Sequence, residues 1–149
     1  MKTVQEIVNR INGLLAKNKD MEKAYRKCAK STSNPILRNL FNGKAEERHV
    51  FGNELKNEIF HLGGEVQQEG TLRGDIHRMW IDVKTLMSSN EDEVLLEECK
   101  HGEEAFIKEY KTFLGEVALP ETTRKLLNKQ LTSVMKTRIS LDILEGMES

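Results

Sequence analysis

Cysteine, proline and aromatic residues are scarce in this sequence of 149 residues. It contains two cysteines, two prolines and one tryptophan. Two cysteines are too few for a disulfide framework or for a zinc site built from thiolates. Cys28 and Cys99 have apolar neighbours at helical spacing, so we expect buried free thiols rather than redox groups.

The sequence also lacks an excess of charge of one sign and any long apolar run. Lys and Glu are interspersed and the formal net charge is −1, which argues against nucleic acid or an anionic membrane as the main partner. No segment approaches the roughly 18 apolar residues of a membrane span. The N-terminal segment MKTVQEIVNR has no apolar core of the signal-peptide type. We therefore expect a cytoplasmic protein with one domain over residues 1–149.

Apolar residues recur at helical period in four long segments, and no segment alternates with period two. Thr3 and Glu6 have capping-box spacing, and Asn34 followed by Pro35 is a typical helix start. The predicted helices run from about Thr3 to Lys30, from Asn34 to the Gly63-Gly64 stop, from Glu91 to Gly115, and from Glu121 to Met147. The sequence thus predicts an all-α protein.

The connections between these helices differ in length. The first and last links are a few residues long, so each joins an antiparallel hairpin. The middle link has about 27 residues and carries a shorter amphipathic helix, about Leu72 to Met87. Such a link can start the third helix at the end where the second began, as in ferritin-like four-helix bundles with one long crossover. We expect Met79 and Trp80 to pack on the bundle; otherwise that apolar side would bind a partner.

Two Glu-x-x-His pairs have the spacing with which helical bundles bind metal. At about 100° per residue, Glu46 lies roughly opposite the apolar stripe of the second helix and His49 well off it, whereas Arg48 points inward. In the other pair, Glu98 and His101, the imidazole also turns away from the core. A metal bound by either pair would have to lie on the surface between helices or in an oligomer interface.

Five polar residues fall on or beside the inward faces: Asn18, Glu22, Arg48, Glu98 and Arg138. Counted from the hairpin turns, Glu98 is level with Arg138, and Asn18 is level with Arg48. We expect a charge-balanced network here in place of a metal, because an unpaired buried charge costs several kcal/mol and guanidinium groups repel a dication. The alternative is that one or both arginines extend to solvent.

Several segments resemble a known family. They are the LGGE turn at Leu62–Glu65, IHRMWIDVK at Ile76–Lys84, LLEECKHGEEAFIKEYK at Leu95–Lys111, and the LP before the fourth helix. With the helix order, they resemble a bacterial family of small four-helix-bundle proteins of unknown function within the ferritin-like superfamily. The resemblance implies a ferritin-like fold, and that family carries no established reaction.

The superfamily supplies its two metals with a Glu, a Glu-x-x-His, a Glu and a second Glu-x-x-His from successive helices. Only Glu98, with Glu22 as a further candidate, matches that pattern in this chain. Arg48 and Phe51 stand where the second helix would supply its pair, and Met135 and Arg138 are at the corresponding places in the fourth, which contains no histidine.

We therefore expect a protein that is not an enzyme, needs no cofactor, and acts in protein interaction or stress, the latter suggested only by the superfamily. No Gly-x-Ser-x-Gly turn or glycine-rich phosphate loop is present. A protein partner and a homo-oligomer both remain open. The alternative is a di-metal carboxylate oxidoreductase or iron-handling protein that uses Glu22, Glu98 and one of the Glu-x-x-His pairs.

Overall fold

The protein folds into four long helices. The structure is a computed structural model that describes residues 3–67, 91–115 and 118–148. Helix α1 is Val4–Ser31, α2 is Pro35–His61, α3 is Asp92–Leu114 and α4 is Glu121–Glu148. The described residues contain no strand, in agreement with the predicted all-α class. The predicted crossover helix from about Leu72 to Met87, with Met79 and Trp80, lies outside these residues.

The helix ends follow the capping signals in the sequence. Thr3 and Glu6 form the predicted capping box at the start of α1, and the Asn34 side chain accepts from the Ile36 amide at the start of α2. Helix α2 ends where Gly63 takes a φ of 77°, a left-handed conformation that favours glycine. The predicted helix bounds are therefore correct to within a residue or two.

Contacts between side chains give the directions of the helices. Tyr25 contacts Glu103 and Lys17 contacts Glu109, so α1 and α3 are antiparallel. Helix α4 runs antiparallel to α2, since Thr123 contacts Glu58 and Lys129 contacts Glu54. The same holds for α4 and α3, where Lys100 contacts Asp142 and Tyr110 contacts Gln130. It follows that α2 and α3 are parallel.

The long connection between α2 and α3 starts and finishes at opposite ends of the bundle. Gln67, after α2, donates its amide to the Asn12 side chain near the start of α1. Asp92, at the start of α3, accepts at 2.6 Å from Thr32, just before α2 begins. The one-crossover arrangement predicted from link lengths is therefore present in the fold.

The core is built from apolar residues of all four helices. Its members are almost completely buried and recur at intervals of three and four residues. Representative members are Ile7, Ile11, Leu14, Leu15, Met21, Phe41, Leu55, Ile59, Leu95, Phe106, Phe113, Leu127, Val134 and Leu141. Val4, the first residue of α1, is 53% exposed. None of the described helices is long and apolar enough to cross a membrane.

The turn after α2 packs closely on α1, and this contact predicts the effect of a small substitution. A Cβ atom on Gly64 would lie 2.6 Å from Cγ1 of Val8, which is buried. We expect Gly64→Ala to lower the free energy of unfolding by about 1–2 kcal/mol through overpacking. Urea unfolding of the wild type, Gly64→Ala, Val8→Ala and the double variant measures this.

The two substitutions should be strongly coupled, because Val8→Ala removes the methyl groups that the new Cβ would meet. Additive effects would contradict the close approach. Gly13→Ala in α1 is a matched control, since a Cβ there would have no atom of the described residues within 4 Å. It should stabilise the protein by about 0.5–1 kcal/mol, the usual gain for alanine over glycine in a helix.

Candidate functional site

An ion pair lies in the centre of the bundle. Arg48 on α2 and Glu103 on α3 each have 0% exposure, and Nη2 of Arg48 donates to Oε2 of Glu103. Arg48 lies seven residues after Phe41 and seven before Leu55, and Glu103 lies three residues before Phe106. Both charged residues thus occupy positions that the helical repeat directs into the core.

Aromatic residues surround the Arg48–Glu103 ion pair. Cζ of Arg48 lies 5.0 Å from the ring centroid of Phe51 and 5.7 Å from that of Phe106, within the range of cation–π attraction. The Tyr25 hydroxyl donates to Oε2 of Glu103 at 3.0 Å. The guanidinium and the carboxylate are therefore held by groups from three helices.

Burial dominates the ionisation of these groups. It raises the pKa of Glu103, and the charge of Arg48 and the Tyr25 hydroxyl oppose that rise. Burial is the largest single influence on Arg48 and lowers its pKa, but Glu103, Tyr25, Tyr110 and Glu47 together outweigh it, so the pKa of Arg48 is raised. Burial and Glu103 raise the pKa of Tyr25 well above its ordinary value. Tyr25 therefore stays a hydrogen-bond donor, and Arg48 stays a cation.

The hydrogen bonding of this site is incomplete. The Asn18 side chain donates to the Arg48 carbonyl at 2.6 Å. Four buried polar atoms nevertheless have no hydrogen-bond partner among residues 3–67, 91–115 and 118–148: Nε and Nη1 of Arg48, Oε1 of Glu103 and Oδ1 of Asn18. Most buried polar atoms in proteins are satisfied, so this site carries a desolvation cost that its own contacts do not fully offset.

A second polar contact links α3, α4 and α2. The Tyr110 hydroxyl donates at 2.6 Å to Oε1 of Gln130, whose amide donates to the Phe51 carbonyl and to Glu54. The ring of Tyr110 stacks on Phe106 at 4.9 Å, which joins this group to the ion pair. Burial raises the pKa of Tyr110, so its hydroxyl also remains a donor.

The structure brings together two of the five polar residues singled out in the sequence, Asn18 and Arg48. The carboxylate that meets Arg48 is Glu103, and Glu98 is half-buried elsewhere on α3. The Arg138 side chain is 40% exposed and lies 3.9 Å from Glu104. Arg138 is therefore not part of a core network, and its side chain extends towards solvent, the alternative expected for a long side chain.

Glu22 lies outside the core at the seam between α1 and α2. Arg26 donates to it at 3.0 Å and also lies 3.6 Å from Glu46. Nδ1 of His49 lies 3.5 Å from Oε2 of Glu22. A cation, the Arg26 guanidinium, thus contacts the two carboxylates beside this imidazole.

The exposure of the Glu-x-x-His pairs agrees with the helical-wheel expectation. Glu46 and His49 are 65% and 55% exposed, and His101 is exposed as well. Within residues 3–67, 91–115 and 118–148, no group of three or more His, Cys, Asp or Glu residues is arranged to hold a metal ion.

A surface cleft of about 170 Å³ lies beside His49. Its lining residues are Lys19, Glu22, Lys23, His49, Gly52, Asn53 and Lys56. Three ammonium groups and one carboxylate give this cleft a positive formal charge. Such a surface differs from the acidic site that a divalent metal requires.

Comparison with known proteins places the chain in a family. Residues 6–116, which are 111 of its 149 residues and include all of α2 and α3, match a domain described as Domain of unknown function (DUF2383). The comparison with curated proteins found no match. Because the match covers about three quarters of the chain, the protein belongs to the DUF2383 family.

Proposed function

We propose that the protein is a non-enzymatic interaction module whose buried ion pair takes the place of the metal centre found in ferritin-like bundles. The observation that supports this proposal is the position of Arg48, a buried cation at the middle of the bundle with Glu103 as its partner. A dication at that level would meet the guanidinium charge and compete for the carboxylate. A role in stress rests only on the resemblance to the ferritin-like superfamily.

The interaction part of the proposal rests on an apolar stripe on α4. Met135, Ile139, Ile143 and Met147 follow one another at intervals of four residues and are 39–76% exposed. Such a ridge packs well against the same ridge of another helix. Its order, Met-Ile-Ile-Met, reads the same in both directions, so an antiparallel pairing of two α4 helices places like residues together.

Charge supports a second copy of the chain as the occupant of this stripe. The part of α4 before the midpoint of the stripe carries the exposed Lys136, and the part after it carries Asp142, whose side chain contacts Lys100 of α3 but is 63% exposed. In an antiparallel pair the basic half of one helix faces the acidic half of the other. We therefore propose that the protein acts by self-association through the apolar stripe on α4.

We expect the protein to be a dimer that Ile139→Glu converts to a monomer, because the change buries a carboxylate in the apolar contact. Size-exclusion chromatography with light scattering measures the mass of each variant. The neighbouring exposed residue supplies a matched control, Ser140→Glu, which adds the same charge beside the stripe and should leave the dimer intact. A wild-type monomer at all concentrations would contradict self-association.

Metal binding tests the rest of the proposal. After incubation with Fe(II) or Mn(II) and removal of unbound ions, we expect far less than one metal per chain and an unchanged Tm. Near-stoichiometric metal with a raised Tm would contradict the metal-free reading, since a ligand that binds the folded state stabilises it. Elemental analysis and calorimetry on the same sample give both quantities.

A divalent-metal protein is the second candidate, favoured by the 3.5 Å distance between His49 and Glu22. Glu46 lies on the other side of Arg26, so displacement of that guanidinium would free two carboxylates and one imidazole. If metal does bind, its loss in His49→Gln assigns it to this surface site. Its loss in Glu103→Gln with retention in His49→Gln assigns it to the core.

A further inference from the structure

The two cysteines of the chain are in contact. Cys28, in the last part of α1, and Cys99, in the first half of α3, have their Sγ atoms 3.5 Å apart. Both thiols are free, with exposures of 1% and 3%. A pair of buried sulfur atoms at van der Waals distance is spatially isolated from thiols on other molecules, so any bond they form is with each other.

The cysteine contact lies between the two helical hairpins. Helices α1 and α2 form one hairpin and α3 and α4 the other, and the chain joins them only through the connection between α2 and α3. Near the cysteines, the Thr32 hydroxyl donates to Asp92. The Arg48–Glu103 ion pair is buried between the same two hairpins. A covalent bond between the cysteines would therefore hold the hairpins together over this site.

We propose that Cys28 and Cys99 are an oxidation site at which a hydroperoxide forms an intramolecular disulfide between α1 and α3. With hydrogen peroxide, the sulfur of one cysteine attacks the O–O bond and becomes a sulfenic acid while one water leaves. The second thiol then attacks that sulfur, the S–S bond forms, and the hydroxyl group leaves as a second water. Together the two thiols lose two protons and two electrons, and the peroxide is reduced to two waters.

The geometry requires a modest movement. An S–S bond of about 2.05 Å demands that the sulfur atoms approach by roughly 1.5 Å from their present contact. Contact with Cys28 and burial raise the pKa of Cys99, so the thiolate is scarce at neutral pH and the reaction is slow. Burial also hinders reducing thiols once the bond has formed, which makes the cross-link persistent.

The test treats reduced wild-type protein with hydrogen peroxide while circular dichroism confirms that it remains folded. We expect an intact mass lower by two hydrogen atoms, a peptide that links Cys28 to Cys99, and a Tm several degrees higher, because the bond spans 71 positions of the chain. Cys28→Ala and Cys99→Ala serve as controls. In each, the remaining cysteine should gain oxygen atoms instead, with no rise in Tm.

The wild-type mass measurement decides the proposal even if a cysteine variant does not fold. An unchanged mass, a gain of oxygen without a link, or links only between different chains would each overturn it. The proposal is independent of self-association and of metal binding, because an intramolecular link forms equally in a monomer and in a metal-free protein.

Discussion

Replacing Arg48 with leucine should lower the free energy of unfolding by about 3–5 kcal/mol, the cost of removing one partner of a buried ion pair. Glu103 is completely buried and its carboxylate accepts from Arg48 and Tyr25. Without the guanidinium, the remaining carboxylate must stay charged beside one hydroxyl or take up a proton. Urea unfolding followed by circular dichroism measures the change.

A double variant separates the net contribution of the Arg48–Glu103 ion pair from the cost of leaving one partner unpaired. In Arg48→Leu/Glu103→Leu, both charges and their unpartnered atoms are replaced by apolar groups, so part of the lost stability should return, less the cost of the buried Tyr25 hydroxyl that loses its acceptor. A double variant as unstable as Arg48→Leu would show that the ion pair contributes more than its desolvation cost. Arg138→Leu is the matched surface control and should change stability by less than about 1 kcal/mol, since its guanidinium is partly exposed and 3.9 Å from Glu104.

The inward position of Arg48 could be predicted because its neighbours on α2 fix the stripe without ambiguity. Phe41, Leu55 and Ile59 are large, apolar and separated by multiples of a helical turn. Arg48 lies two turns from both Phe41 and Leu55, so it must face the same way. The chain directions were predictable for a similar reason. Two short links and one long link allow few arrangements of four helices.

Apolar periodicity places Glu98 beside the inward face of α3 and does not identify Glu103, the carboxylate that pairs with Arg48. Glu103 lies four residues after Cys99 and three before Phe106, which are strongly buried neighbours. This spacing indicates that Glu103 faces the core, but a carboxylate is rarely buried in a protein core unless it is paired. The partner that makes its burial possible is on another helix, and local periodicity contains no information about it.

On α4, apolar periodicity places Arg138 on the inward face and does not identify Gln130 and Thr137, which are buried. The buried positions include Thr123, Leu127, Gln130, Val134, Thr137 and Leu141, which repeat at intervals of three and four. Three of these residues are polar, so a search for apolar residues alone misplaces the centre of the buried face of α4. Thr123 and Gln130 pair with groups of α2 and α3, which come within reach only after the helices are packed, whereas Thr137 donates to the Ser133 carbonyl of its own helix.

Gln130→Leu should lower the free energy of unfolding by about 2–3 kcal/mol, since it leaves a buried hydroxyl without its acceptor. The Tyr110 hydroxyl donates to Gln130 at 2.6 Å and Tyr110 itself is completely buried. Leucine fills a similar volume, so lost hydrogen bonding rather than a cavity should account for the change. Urea unfolding measures it, and the exposed residue Asn128, changed to leucine on the same helix, should shift stability by no more than about 0.5 kcal/mol.

A second substitution identifies the orphaned hydroxyl as the cause. Tyr110→Phe removes that hydroxyl, so in the Gln130→Leu background it should restore about 1 kcal/mol or more, although alone it destabilises the protein by leaving Oε1 of Gln130 unpaired. The Phe106–Tyr110 stacking survives this change. Additive losses in the double variant would mean that the two side chains contribute independently. The polar contact between α3 and α4 would then not be what holds Gln130 inside the bundle.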